Sequence, residues 1–409
     1  MQTATPHTPL YLDTSSAVDT FFASIAGARI LALDTEGASF HRFVDRIYLL
    51  QLSTREQTAV IDPLPIGSPA GLGRLLESPD VEVVFHDADY DLRLLQQDYG
   101  WHVRNIFDTR VAAQLLGLRA FGLAALLEKY FGLKVDKKHQ RADWSMRPLT
   151  QSMLDYAAQD TINLLELRDL MKEELVRAGR WEWAREEFAL LEGTKWGDED
   201  PANSFLKLKG ARDLSRRELA VLRELVPLRD SVASGLDRAT FRIIGNEQLL
   251  DIARQQPATR DALAAIKGMP RGLFESRGDD MLNAVKRGLS VPESDLPRFP
   301  KAPRWDRDPD FDIRTNALKA VRDAIAVRLD LDPGVLGARD RLEAVARKNP
   351  KTYEELETIP ELRRWQREIL GEDFLKALNA HAKPSKTLPA NDAPRELPRL
   401  TSNESPYKD

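Results

Sequence analysis

The stretch Ile30-Leu31-Ala32-Leu33-Asp34-Thr35-Glu36 decides how this chain reads. An apolar run ending in acid-x-acid predicts a buried β-strand. Alternate side chains share a face, so Asp34 and Glu36 project on the side of Ile30 and Ala32. Two carboxylates that close repel and are costly to desolvate, so a fold keeps them where a cation compensates or where they reach water. Oxygen-only donors suit a hard divalent ion, Mg²⁺ or Mn²⁺. Among 64 acidic residues the pattern also recurs by chance, and the bland alternative is a solvated strand end.

Working outward, Ala28 to Leu33 reads as the first strand, Arg46 to Leu52 as a second and Thr58 to Pro63 as a third, with links short enough to favour antiparallel neighbours. Gly71 to Leu76 predicts a helix, Val81 to Phe85 a fourth strand and Asp89 to Tyr99 a helix. A fifth strand ends near Phe107, and helices follow through Gly117, Phe131 and Gly179. The expectation is α/β: a mixed five-stranded sheet flanked by helices. This element order resembles a ribonuclease H-like nuclease core.

The helix opening after Thr150 carries an apolar stripe, Met153, Ala157, Leu164 and Leu167, in which Asp160 occupies a position due an apolar residue. Tyr156 lies one turn before it. A buried carboxylate needs a metal or a partner, the alternative being a salt bridge to an arginine. In His86-Asp87-Ala88-Asp89-Tyr90-Asp91 the acids suit a helix start. Asp91 is placed to approach the first strand, though spacing alone does not choose among the three aspartates.

Composition sets the bounds. A chain of 409 residues should hold two or three domains, and 42% apolar with 30% charged residues fits a globular protein. The net charge of −5 announces no global positive field, so nucleic-acid binding would rest on local patches. The absence of cysteine excludes disulfides, thiolate zinc sites and thiol nucleophiles. Neither a secretion signal nor a membrane-spanning run is apparent, which implies a cytoplasmic protein with no membrane partner.

Together, Leu33-Asp34-Thr35-Glu36, His86 to Leu92, Asp143-Trp144 with Arg147-Pro148-Leu149, and Tyr156-Ala157-Ala158-Gln159-Asp160 resemble bacterial ribonuclease D, the 3′–5′ exonuclease family of four acids and a tyrosine. The resemblance implies that Asp34, Glu36, Asp91 and Asp160 hold two divalent cations, Mg²⁺ or Mn²⁺, and it selects Asp91 over Asp87 and Asp89. It implies that Tyr156 positions the attacking water and that His86 neighbours the site. One departure is the extra acidity of Asp87 and Asp89.

The implied activity is a 3′–5′ exoribonuclease releasing nucleoside 5′-monophosphates from a free RNA 3′ end, with tRNA precursors as substrate and a monomer as the working form. The alternatives are a 3′–5′ DNA exonuclease acting in repair, with single-stranded DNA as its partner, and a catalytically idle RNA-binding scaffold. A basic loop, Lys137 to Arg141, precedes Trp144 and Arg147. Its Lys138 and Arg141, with Trp144, Arg147, Thr35 and His86, are the candidate substrate contacts, the alternative being a solvated loop whose Trp144 packs on the domain. Trp181, Trp183 and Trp196 read as packing residues.

The nuclease domain is expected over 1–200. From Lys207 the pattern becomes helical, and from Leu214 it resembles the HRDC domain shared with RecQ-type helicases, expected over 207–290, with Leu228 where a tryptophan is usual. Lys207, Lys209, Arg212, Arg216 and Arg217 form a basic string suited to phosphate. A Pro-rich linker spans 291–312. A second HRDC-like copy is expected over 313–381, and a disordered tail over 382–409. Such repeats bind nucleic acid or dock partners, which fits a funnel leading RNA to the site.

Overall fold

The computed structural model describes residues 9–135, 138–197, 200–300 and 308–380. The expected tail lies outside these residues, as do Asp136, Lys137 and the 301–307 part of the linker.

The sheet has six strands: β1 (Leu10–Leu12), β2 (Ile30–Glu36), β3 (Leu49–Ser53), β4 (Thr58–Ile61), β5 (Glu82–Phe85) and β6 (Ile106–Asp108), in the order β1-β4-β3-β2-β5-β6. β2, β3 and β4 form the expected antiparallel meander, and β5 and β6 add in parallel beside β2. The expected five strands become six because β1 pairs in parallel with β4, Leu10 opposite Ala59 and Leu12 opposite Ile61. Three residues carry no readable period, and their partners lie far along the chain.

β2 is covered on both faces, which is why it reads as a nearly continuous apolar run. Leu31 and Leu33 face a core with Leu50, Leu52, Val83 and Phe85 under the helices Ser15–Ser24, Ala70–Leu76 and Asp89–Tyr99. Ala32 faces the opposite core with Val84, Phe107, Leu164, Leu167 and Met171. Asp34 and Glu36 share the face of Ala32, so the second core opens into a polar edge exactly where the strand runs out of apolar residues.

The helix after Thr150 is two helices, Gln151–Ile162 and Leu164–Arg177, interrupted at Asn163. Thr161 and Asn163 are weak helix formers, and Thr161 shares its hydroxyl with Ser53 at 2.8 Å. Asp160 therefore belongs to the first helix, and Leu164 and Leu167 to the second.

Two helical units follow on one plan. The first comprises Arg216–Gly235, Thr240–Ile243, Asn246–Gln255, Arg260–Ala264 and Arg271–Ser290. The second comprises Phe311–Leu329, Pro333–Leu336, Arg339–Lys348, Tyr353–Glu357 and Arg364–Ala380. The described start of the linker is not a free spacer. Arg216 donates to the carbonyls of Glu293 and Leu296 at 3.2 and 2.9 Å, Arg217 pairs with Glu293 at 2.6 Å, and Arg212 stacks 4.7 Å from the Phe299 ring. Arg216 and Arg217 are thus spent strapping the linker down, which corrects their reading as phosphate contacts, while Arg212 stays exposed beside the Phe299 ring. No helix among the described residues is long and apolar enough to cross a membrane.

Candidate active site

β2 delivers Asp34 and Glu36 to one face, and the Gln151–Ile162 helix packs on that face carrying Asp160. One carboxylate oxygen from each of the three lies within 4.8 Å of the others. Asp91 comes from the opposite face of the sheet, off the first turn of Asp89–Tyr99. It is buried, and its Oδ1 accepts from the Thr35 backbone N–H at 3.0 Å and the Thr35 hydroxyl at 2.5 Å. Thr35, a candidate substrate contact, is buried and spends its hydroxyl tethering Asp91 to β2.

Charge crowding follows from this geometry. Burial, then the charges of Asp91, Asp160 and Glu36, holds the Asp34 carboxyl well above its usual range. Burial with Asp160 and Asp91 does the same to Glu36. Burial pushes Asp91 and Asp160 up to about 7 each. Among the described residues no arginine or lysine forms an ion pair with any of the four, so no salt bridge relieves Asp160. By contrast Asp87 pairs with Arg110 and Asp89 with Arg93, so the extra acids of that segment are neutralised locally.

Gln51 stands directly opposite Asp34 across the β2–β3 ladder, fully buried, and neither of its amide atoms has a partner. Leaving such an amide unpaired costs free energy. Three converging carboxylates without a countercharge, beside an orphaned amide, are a donor set that fits a hard divalent cation.

Asp34, Glu36 and Asp160 open onto a cavity of about 740 Å³, also lined by His86, Phe40, Arg141 and Tyr156, while Asp91 stands behind its wall, tied to Thr35. His86 meets the Thr109 hydroxyl through Nδ1 at 2.9 Å, and burial lowers its pKa to about 4, so it is neutral at pH 7. Tyr156 is flanked by His139, with ring centroids 5.7 Å apart, and by Trp144 at 6.1 Å.

Two expected substrate contacts change role. Trp144 is 2% exposed and packs with Tyr48, Leu49, Val60, Ala157 and Ala158, so it is a wall beneath Tyr156 and not a free stacking platform. Arg147 donates twice to Asp62, once each to the carbonyls of Trp144 and Met146, and once to that of Tyr48. Its donors are committed within the protein, and the Asp62–Arg147 pair locks the 144–147 segment to the end of β4. Lys138 is exposed in the turn that leads to Arg141.

Several residues that shape the site went unread in the sequence. Asp108 caps Thr109–Leu115 and also accepts from the N–H groups of Asp87 and Ala88 at 3.2 and 2.8 Å. It thereby fixes the turn after β5, where Asp87 takes a left-handed φ of 67°. Asp45 bonds the Tyr90 hydroxyl and the Ala38 N–H, closing the loop after Glu36, and a Cβ on Gly37 would collide with both side chains. Gln51 did leave a signal, a lone amide within Leu49-Leu50-Gln51-Leu52.

A 3′–5′ exonuclease family model matches residues 9–176, and an HRDC domain model matches 218–285 and 314–378. Ribonuclease D of Granulibacter bethesdensis is 31% identical over 85% of this chain and 87% of its own length. The chain belongs to the ribonuclease D family. Ribonuclease D of Gluconacetobacter diazotrophicus is likewise 31% identical, over 84% of this chain and 86% of its own. The crystal structure of Escherichia coli RNase D shares the fold, with a TM-score of 0.70 at 24% identity, covering 92% of this chain and all of that one. As a member of the ribonuclease D family the chain is a 3′–5′ exoribonuclease.

Proposed function

We propose that this ribonuclease D-family chain trims the 3′ ends of structured RNA, tRNA precursors among them, by metal-dependent hydrolysis, working as a cytoplasmic monomer and releasing nucleoside 5′-monophosphates one at a time. The observation that carries the reading is the convergence of Asp34, Glu36 and Asp160 within 4.8 Å, with no ion pair to any of them among the described residues. Asp34, Glu36, Asp91 and Asp160 would hold Mg²⁺ or Mn²⁺, two ions per site, which when bound supply an activated water and stabilise charge on the leaving 3′ oxygen. Thr35 keeps Asp91 turned toward β2. Tyr156, braced between Trp144 and His139, orients the attacking water. A phenol, with a reference pKa of about 10, is a poor base at neutral pH. Neutral His86 contributes shape and hydrogen bonding to the wall and adds no charge.

The test is digestion of matched RNA and DNA oligonucleotides with free or blocked 3′ ends, in Mg²⁺ and in chelator. Mononucleotide release from free RNA 3′ ends in Mg²⁺ alone is expected. Asp34→Asn and Asp160→Asn should each lower kcat by about a thousandfold or more. Unchanged rates in both would remove these residues from the mechanism, and preference for DNA would move the reading to a DNA exonuclease. Tyr156→Phe should slow turnover with metal affinity kept.

A further inference from the structure

The first helical unit is fastened to the loop after Glu36, whose Phe40 and His41 line the catalytic cavity. Asp237 accepts from the Phe43 N–H at 3.3 Å and from Arg42 at 3.4 Å, and Ala239 donates to the His41 carbonyl at 3.2 Å. Arg242 bonds the Phe40 carbonyl and His41 Nδ1. The loop after Glu36 is thus already fastened by polar contacts. Yet two aromatic rings remain in the open beside those contacts. Phe40 is 48% exposed and Phe241 is 53% exposed, with ring centroids 6.3 Å apart at 77°. The Arg141 guanidinium stands 5.5 Å from the Phe40 centroid.

Phe241 belongs to Thr240–Ile243, where Ile243 is buried in the unit's own core while Phe241 is turned outward. Had the ring served only to glue the domains together, it would be covered. Exposed rings cost free energy in water unless something covers them in use, and here one ring lines the cavity that receives a polyanion while the other packs edge-on against it. Aromatic faces flanked by arginine are the chemistry that holds unpaired bases, since every base offers a π-face to stack and the cations meet the phosphates. Phe40 lines the cavity and Phe241, outside its lining, extends the exposed aromatic surface outward from it.

We propose that Phe40 and Phe241 form a two-ring rest for bases of single-stranded RNA immediately upstream of its 3′ end, so that the first helical unit supplies part of the substrate site. This rests on the exoribonuclease reading. The occupant is the substrate strand. A short substrate ends before Phe241, and a longer one crosses it.

The experiment uses the full chain with Phe241→Ala and Phe241→Trp, measuring KM and kcat on an RNA dinucleotide and a single-stranded decanucleotide. A chelator-treated binding titration with a labelled decanucleotide accompanies it. Phe241→Ala is expected to raise the ratio of decanucleotide to dinucleotide KM about tenfold, with kcat held and binding weakened in parallel, and Phe241→Trp should restore both. A rise in KM or fall in kcat shared by both lengths would overturn the proposal, because the ring would then merely shape the catalytic loop. An unchanged decanucleotide KM with intact wild-type activity would overturn it too, leaving the rings to another protein. A wild-type chain that degrades no RNA would instead sink the activity reading.

Discussion

In the first helical unit Arg216–Gly235 is followed by Asp237 at φ 46°, and in the second Phe311–Leu329 is followed by Asp330 at φ 49°. Gln256 and Asn349 then end the third-longest helices in the same left-handed conformation, each followed by a threonine cap, Thr259 and Thr352. Local structure therefore repeats almost turn for turn. The junctions with the nuclease domain do not. Trp365 of the second unit is 1% exposed and stacks on Trp183 at 4.9 Å, donating Nε1–H to Glu187 at 2.9 Å. Glu186 caps Arg364–Ala380 through the N–H groups of Arg364 and Trp365 at 2.7 and 3.1 Å, and one apolar core runs from Ala32 and Phe107 to Trp365 and Leu378. The first unit instead meets the catalytic loop chiefly through hydrogen bonds, with Phe43 the loop ring that reaches its core, and leaves Phe241 uncovered. One copy is thus built into the nuclease domain's stability, and the other is spared for the cavity mouth.

The contrast breaks first at the tryptophan pair. Trp365→Ala should destabilise the protein by roughly 3–5 kcal/mol, the cost of emptying a large buried aromatic site. In denaturant melts the second unit and the nuclease domain should still lose structure together. An unchanged midpoint would mean that the core is not shared.

A smaller effect isolates the acidic site from both junctions. In the native, metal-free protein Asp160 has a pKa near 7, above an unfolded value of about 4. Its contribution to stability is therefore intact below about pH 4 and lost as pH rises through 7. Asp160→Asn in chelator should raise Tm by a few degrees, roughly, at pH 8 and hardly at all at pH 4. An equal gain at both pH values would assign the effect to packing.

The smallest effect is expected at the polar junction. Asp237→Ala should cost about 1 kcal/mol or less, detectable as faster hydrogen exchange at the Phe43 amide with the global melt nearly unmoved. A loss as large as that from Trp365→Ala would erase the distinction between the two junctions.

Much of the site was legible in the sequence because its parts are written in short-range patterns. Strand alternation placed Asp34 and Glu36 on one face, helical spacing put Tyr156 one turn from Asp160, and the structure brings these elements together at the end of the interior strand β2. The fate of the basic and aromatic residues was not legible in the same way. Arg147 and Arg141 are only a few positions apart in one segment, yet Arg147 is consumed by Asp62 and Arg141 lines the cavity.

The sequence by itself determined the strands of the meander, the acid-bearing elements and the repeated helical plan, since each follows from side-chain periodicity and capping within a few turns of chain. Only the tertiary structure decided that β1 completes the sheet, that Trp144 braces Tyr156 from below, that Gln51 faces Asp34 without a partner, and that Phe241 meets Phe40 beside the cavity. Those outcomes depend on which distant surface reaches each residue first, and packing across the whole molecule sets that.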